Sequence, residues 1–82
     1  MAPQNGTTGK TIQSVGIALE ILEELRHRGT AGVTELASAI DRSKSTAHHY
    51  VKTLEEYGYV ERSGAEYQLG LRLLTLGGQA RE

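Results

Sequence analysis

Three successive amphipathic stretches, a joint of three polar residues between the second and third (Asp41-Arg42-Ser43), and two short β-rich runs after them predict the fold class. It is mainly α with a small β-hairpin: a winged helix-turn-helix of three helices, a two-stranded wing and a C-terminal linker helix. The 82 residues form one domain, and a chain this short buries only about 60% of its unfolded surface, so its core is modest.

Residues 1–10 (MAPQNGTTGK) are polar, with two Gly and one Pro, and read as a disordered arm. The folded domain is expected over residues 11–70. Its first helix runs from Thr11 to Arg28, with Thr11 or Ser14 as the cap. Val15, Ala18, Leu19, Leu22 and Leu25 form a stripe at helical spacing that predicts the core face. Ile12, Ile17 and Ile21 widen the apolar surface beyond that stripe. Such breadth fits a second contact surface, a dimer interface, or a helix sandwiched within its own domain. Arg26, His27 and Arg28 complement the helix dipole in the last turn, and Gly29 ends the helix.

The second helix is expected from Val33 to Ile40, with Val33, Leu36, Ala37 and Ile40 inward, Gly32 as cap and Glu35 in the first turn. Asp41-Arg42 makes the joint and Ser43 caps the third helix, which runs to about Tyr57 before Gly58 stops it. Ala47, Tyr50, Val51 and Leu54 face the core at i, i+3, i+4, i+7 spacing. Lys44, His48 and Lys52 repeat every four residues on the opposite side, with Ser45 and His49 alongside. Tyr59 to Arg62 and Glu66 to Leu69 are β-rich around a turn at Ser63-Gly64. The wing therefore spans Val60 to Leu69, with Val60, Tyr67 and Leu69 inward and Arg62 near the tip. A last apolar pattern (Leu71, Leu73, Leu74, Leu76) predicts a helix from Leu71 to about Gly77, within a linker segment over residues 71–82.

Charge narrows the function. The net charge of −1 is not that of a strongly basic nucleic-acid binder. The charge is segregated, however: Ile12 to Leu25 holds three Glu and no Lys or Arg, whereas Arg42 to Lys52 holds three cations and no acid. A phosphate backbone responds to the local field rather than to the total. Lys44, Ser45, His48 and Lys52 make a groove-facing set with His49 at its edge, suited to double-stranded DNA. Thr34, Arg42 and Ser43 sit at helix starts, where free N–H groups and hydroxyls meet phosphates. Arg62 extends the set to the wing. An ordinary solvated helix would instead mix charge signs at i, i+4 spacing, and Ser43 is also a structural cap.

Adjacent His48 and His49 point about 100° apart on a helix, which disfavours shared metal ligation. Imidazoles gain charge across neutrality, so DNA affinity is expected to rise on acidification. The chain contains no Cys, no phosphate-cradling Gly motif and no GxSxG or HExxH, so neither an enzyme nor a cofactor is expected. No apolar run is long enough for a membrane span or a signal peptide, which makes a cytoplasmic location the expectation. The rival class is a winged helix serving as a protein-interaction module, which the acidic first helix would suit.

The segments SVGIALEILEEL, VTELASAIDRSKSTAHHYVKTLEEYGYVER and YQLGLRLLTLG resemble the IclR-type family of transcriptional regulators. The likeness covers roughly Ile12 to Gly78. Its most specific parts are Lys44-Ser45-Thr46, Leu54-Glu55 ahead of a Gly-aromatic-Val, and Tyr67-Gln68-Leu69-Gly70 before a leucine-rich helix. The resemblance implies a DNA-binding domain that dimerises through its first and linker helices, which would place Ile12, Ile17, Ile21, Leu73 and Leu76 at a homodimer interface. It also implies a small-molecule effector bound by a separate domain absent from these residues. His49 departs from the family pattern, where Arg is usual, and the wing is short with one cation.

Overall fold

The computed structural model describes residues 10–80, so the expected arm lies outside the described residues except for Lys10. The elements in order are α1 (Gln13–Arg28), α2 (Val33–Ile40), α3 (Lys44–Glu56), β1 (Val60–Ser63), β2 (Glu66–Leu69) and α4 (Leu71–Ala80). This is the winged arrangement the sequence predicts. Helices α1, α2 and α3 pack on one another, and the hairpin closes the bundle by laying β2 against α1 and β1 against α3.

The core is apolar, centred on Ile21, Leu25, Leu36, Val51 and Val60, all under 2% exposed. Burying each of these side chains contributes about 1.5–3 kcal/mol. Two sequence expectations for α1 change. Its cap is Ile12, extended at φ −92 and ψ 113 with no side-chain cap bond. Ser14 already lies inside the helix, and Gly16 N–H donates to the Ile12 carbonyl. The rotational setting also differs. Ile17, Ile21 and Leu25 form the buried meridian, with Ala18 and Leu22 packed beside it, while Val15 and Leu19 are 55% and 56% exposed. Ile17 and Ile21 are thus core residues of this chain, not a free dimer face. A helix apolar around most of its circumference does not declare which side is inward; contact with α2, α3 and β2 decides it.

At the α2–α3 joint, Asp41 adopts the left-handed conformation (φ 57) and its N–H donates to the Ser38 carbonyl, while Arg42 N–H reaches the Ala37 carbonyl. Asp tolerates that backbone where most side chains do not. Ser43 follows as the expected cap of α3, its Oγ accepting from Thr46 N–H at 3.1 Å.

The hairpin pairs Val60 with Leu69, Glu61 with Gln68, Arg62 with Tyr67 and Ser63 with Glu66. Its two-residue turn is therefore Gly64-Ala65, one position later than expected, with Gly64 at φ 66. Val60 and Tyr67 are buried and Leu69 is half-buried against the core, as the alternation predicts. Unexpected is a one-residue third strand: Ala31 and Tyr67 exchange both backbone hydrogen bonds, at 3.0 and 2.8 Å.

Helix α4 continues through Gly77 and Gly78 to Ala80, beyond the expected end at Gly77. Its first turn is anchored, with Leu71 N–H donating to Glu61 Oε2 and Arg72 N–H to the Gly58 carbonyl. Leu71, Leu74 and Leu76 are exposed, whereas Leu73 is half-buried.

Candidate nucleic-acid interface

Helix α3 is built so that one side belongs to the core and the other to solvent. Ala47, Val51 and Leu54 are buried and Tyr50 is half-buried. At 100° per residue, Lys44, Ser45, His48, His49 and Lys52 occupy an arc of about 140° on the far side. All five are exposed. Lys44, His48 and Lys52 rise along it in steps of about 6 Å. The structure thus brings the predicted groove-facing set onto one open surface. Thr46 is half-buried and its hydroxyl accepts from Ser43 Oγ at 3.1 Å, so it completes the cap rather than joining the open arc.

The start of this surface is preorganised. Ser43 satisfies the Thr46 amide, and no acidic residue stands in the first turn of α3 to offset its positive end. Arg42 is exposed beside it, held loosely by its own neighbour, with Nη1 3.3 Å from the Asp41 carbonyl oxygen. Thr34 is exposed in the first turn of α2, where Glu35 instead turns back to accept from Gly32 N–H at 2.8 Å.

Ion pairing separates two classes of cation. On α1, Arg26 pairs with Glu23 at 2.9 Å and Arg28 pairs with Glu24. The Glu24 carboxylate raises the Arg28 guanidinium above its ordinary range, chiefly through their hydrogen bond, consistent with a charge satisfied within the chain. Among the described residues, Arg42, Lys44, Lys52 and Arg62 have no carboxylate partner. The sequence's segregation of charge therefore survives folding as an α1 whose Glu23 and Glu24 pair with its own arginines and an unpaired cationic stretch from Arg42 to Lys52, with Glu55 and Glu56 confined to the last turn of α3.

The wing adds one cation in a defined setting. Arg62 Nη1 donates to the Tyr67 hydroxyl at 2.9 Å, and its guanidinium carbon lies 5.2 Å from the Tyr67 ring centre. Sequence reasoning names Arg62 but not its partner; with the turn at Gly64-Ala65, the two-residue loop places positions 62 and 67 opposite each other. Glu61 is likewise missed as the side chain that holds the start of α4.

Residues 14–64 match the pattern of the IclR helix-turn-helix domain. The chain belongs to the IclR helix-turn-helix family. Among similar proteins, this IclR-type chain is 36% identical over 69 residues to the HTH-type transcriptional regulator XynR of Escherichia coli K12, covering 80% of the chain and 27% of XynR. It is 44% identical over 48 residues to the glycerol operon regulatory protein of Streptomyces coelicolor, covering 56% of the chain and 19% of that protein. It superposes on the crystal structure of an IclR transcriptional regulator from Alicyclobacillus acidocaldarius with a TM-score of 0.81 at 28% identity, covering 87% of the chain and 30% of that structure. The IclR-type chain thus spans less than a third of the length of these relatives.

Proposed function

We propose that this domain binds double-stranded DNA in a sequence-specific manner for transcriptional regulation, with α3 in the major groove. The observation that carries the reading is the exposed arc of Lys44, Ser45, His48, His49 and Lys52, with no acidic residue between Arg42 and Lys52 and no ion-pair partner among the described residues; Glu55 and Glu56 enter the arc only in the last turn of α3. Lys44, Ser45, His48 and Lys52 face the groove, with His49 at the edge of the set. Thr34, Arg42 and Ser43 serve phosphates, and Arg62 brings the wing to the backbone or minor groove. Relatives named as transcriptional regulators support this role, which belongs in the cytoplasm. Among the described residues no helix is long and apolar enough to cross a membrane.

Self-association is part of the same reading. Ile12, Val15 and Leu19 lie exposed along α1, beside a shallow apolar depression of about 590 Å³ that Ile40 and Arg42 also line. Leu71, Leu74 and Leu76 are exposed on α4. Two protomers bound side by side on DNA would need their third helices about 34 Å apart, one turn of the duplex.

Selection of bound duplexes from a random pool tests the proposal, since it reports binding, sequence preference and half-site symmetry together. Affinity for the selected duplex should fall with salt at a log–log slope of roughly −0.9 per phosphate contacted. Lys44→Ala should weaken it by about 1–3 kcal/mol, while Glu20→Ala on the acidic surface leaves it unchanged. Equal effects of the two substitutions, or no enrichment of any sequence, would reject the reading in favour of a protein-interaction module using acidic α1.

A further inference from the structure

We infer that Tyr67 is a positioning residue that presets Arg62 for the duplex, so that the wing engages DNA through this one side chain and not through its tip. The inference rests on the DNA-binding reading above and adds a residue to it. It begins with the backbone. Both Tyr67 N–H and Tyr67 C=O are turned outward, spent on Ala31 at 2.8 and 3.0 Å. Tyr67 therefore faces Arg62 as a non-hydrogen-bonded pair, the closer of the two antiparallel spacings, where cross-strand side chains meet most directly.

Tyr67 is 5% exposed, its ring fixed in the core. Its hydroxyl accepts from Arg62 Nη1 at 2.9 Å, and the guanidinium carbon lies 5.2 Å from the ring centre. A neutral phenol orders the guanidinium without neutralising it, leaving the full charge and the remaining donors for an anion. That differs from Arg26 and Arg28, whose charges are met by Glu23 and Glu24.

The hairpin's charge pattern leaves one side chain for the contact. The register places Val60, Arg62, Tyr67 and Leu69 on the side that packs on the core, where only Arg62 is exposed, and Glu61, Ser63, Glu66 and Gln68 on the other. Phosphates would meet two carboxylates on the second side, and the Gly64-Ala65 tip offers no side-chain donor. Arg62 is the cation through which this hairpin can approach a polyanion. An arginine already held in place loses little side-chain freedom when it binds.

The test is a double-mutant cycle of Arg62→Ala and Tyr67→Phe in the full 82-residue chain, with Lys44→Ala beside it. Affinity is read by fluorescence anisotropy on a mixed-sequence duplex at low salt, where phosphate contacts dominate. Tyr67→Phe keeps the ring and removes the hydroxyl. It should weaken binding about 3- to 10-fold when Arg62 is present and not at all when Arg62 is Ala, without lowering the thermal midpoint enough to leave any protein unfolded in the assay. An equal loss in both backgrounds, or no loss in either, overturns the inference while Lys44→Ala still reports whether α3 binds DNA. If Arg62→Ala leaves affinity intact but Lys44→Ala lowers it, the wing assignment falls and the reading of α3 stands. Failure of the unaltered chain to bind the duplex overturns both.

Discussion

Replacing Gly70 with Ala should unfold this domain far more easily than its single added methyl suggests. A Cβ at Gly70 would lie 2.2 Å from the Gly58 carbonyl oxygen, 2.8 Å from the Tyr59 carbonyl carbon and 2.9 Å from the Gly58 carbonyl carbon. All three atoms are backbone, so no side chain can swing aside. Relief requires the start of α4 to move off β1, stretching the bonds from Gly70 N–H to Tyr59 (2.7 Å) and from Arg72 N–H to Gly58 (3.3 Å). Overpacking costs about 1–3 kcal/mol and each weakened hydrogen bond about 0.5–1.5 kcal/mol. Together these amount to about 2–6 kcal/mol, a large part of the roughly 4–12 kcal/mol expected for a domain of this size. The thermal midpoint, followed by far-ultraviolet circular dichroism, should fall by about 10 °C or more. Gly16→Ala is the matched control: it makes the same chemical change inside α1, where the added Cβ meets nothing within 4 Å. Helix propensity alone then acts, raising stability by about 0.5–1 kcal/mol. A Gly70→Ala protein melting within about 2 °C of the parent would refute the steric argument.

Three further outcomes follow from the same structure. Ile21→Ala should cost about 2–5 kcal/mol in urea unfolding because Ile21 is fully enclosed. Leu19→Ala should cost under about 0.5 kcal/mol at concentrations where the chain is monomeric, and equal costs would return Ile21 to the surface. Ser43→Ala removes the acceptor for Thr46 N–H and should lower stability by about 1 kcal/mol, read from the thermal midpoint; no change would deny the cap. The combined His48→Ala and His49→Ala substitutions should lower duplex affinity, because both imidazoles are exposed on the outer side of α3 and offer donors to the groove. An affinity unaltered by the double substitution, read by fluorescence anisotropy, would show that these side chains do not face the duplex.

The parts of this fold written in local chemistry are legible in the sequence. Ser43 before a run of alternating core and polar positions announces the start of α3, and Gly58 (φ 85) its end. Lys44, His48 and Lys52 share a face because helical spacing alone puts them there. What depends on a distant neighbour is not legible. Ile17 and Ile21 look interchangeable with Val15 and Leu19 until α2, α3 and β2 select the inner meridian of α1. Ala31 carries no strand signal of its own; it pairs because β2 is delivered alongside it. The Arg62–Tyr67 contact follows from which of two successive turn positions closes the hairpin, a choice that Ser63-Gly64-Ala65 leaves open.

The exchange between Ala31 and Tyr67 also bears on solubility. A bare strand edge is a template on which a stranger's backbone can assemble, and two-stranded ribbons have nothing but edges. Here one margin of the ribbon is plugged at its midpoint by a single residue from the α1–α2 loop. The other margin carries adjacent opposite charges, Glu61 and Arg62, which an incoming apolar strand would have to strip of water. Loss of the Ala31 bridge would therefore be felt first as clumping of the protein at high concentration, before any change in how it meets its ligand.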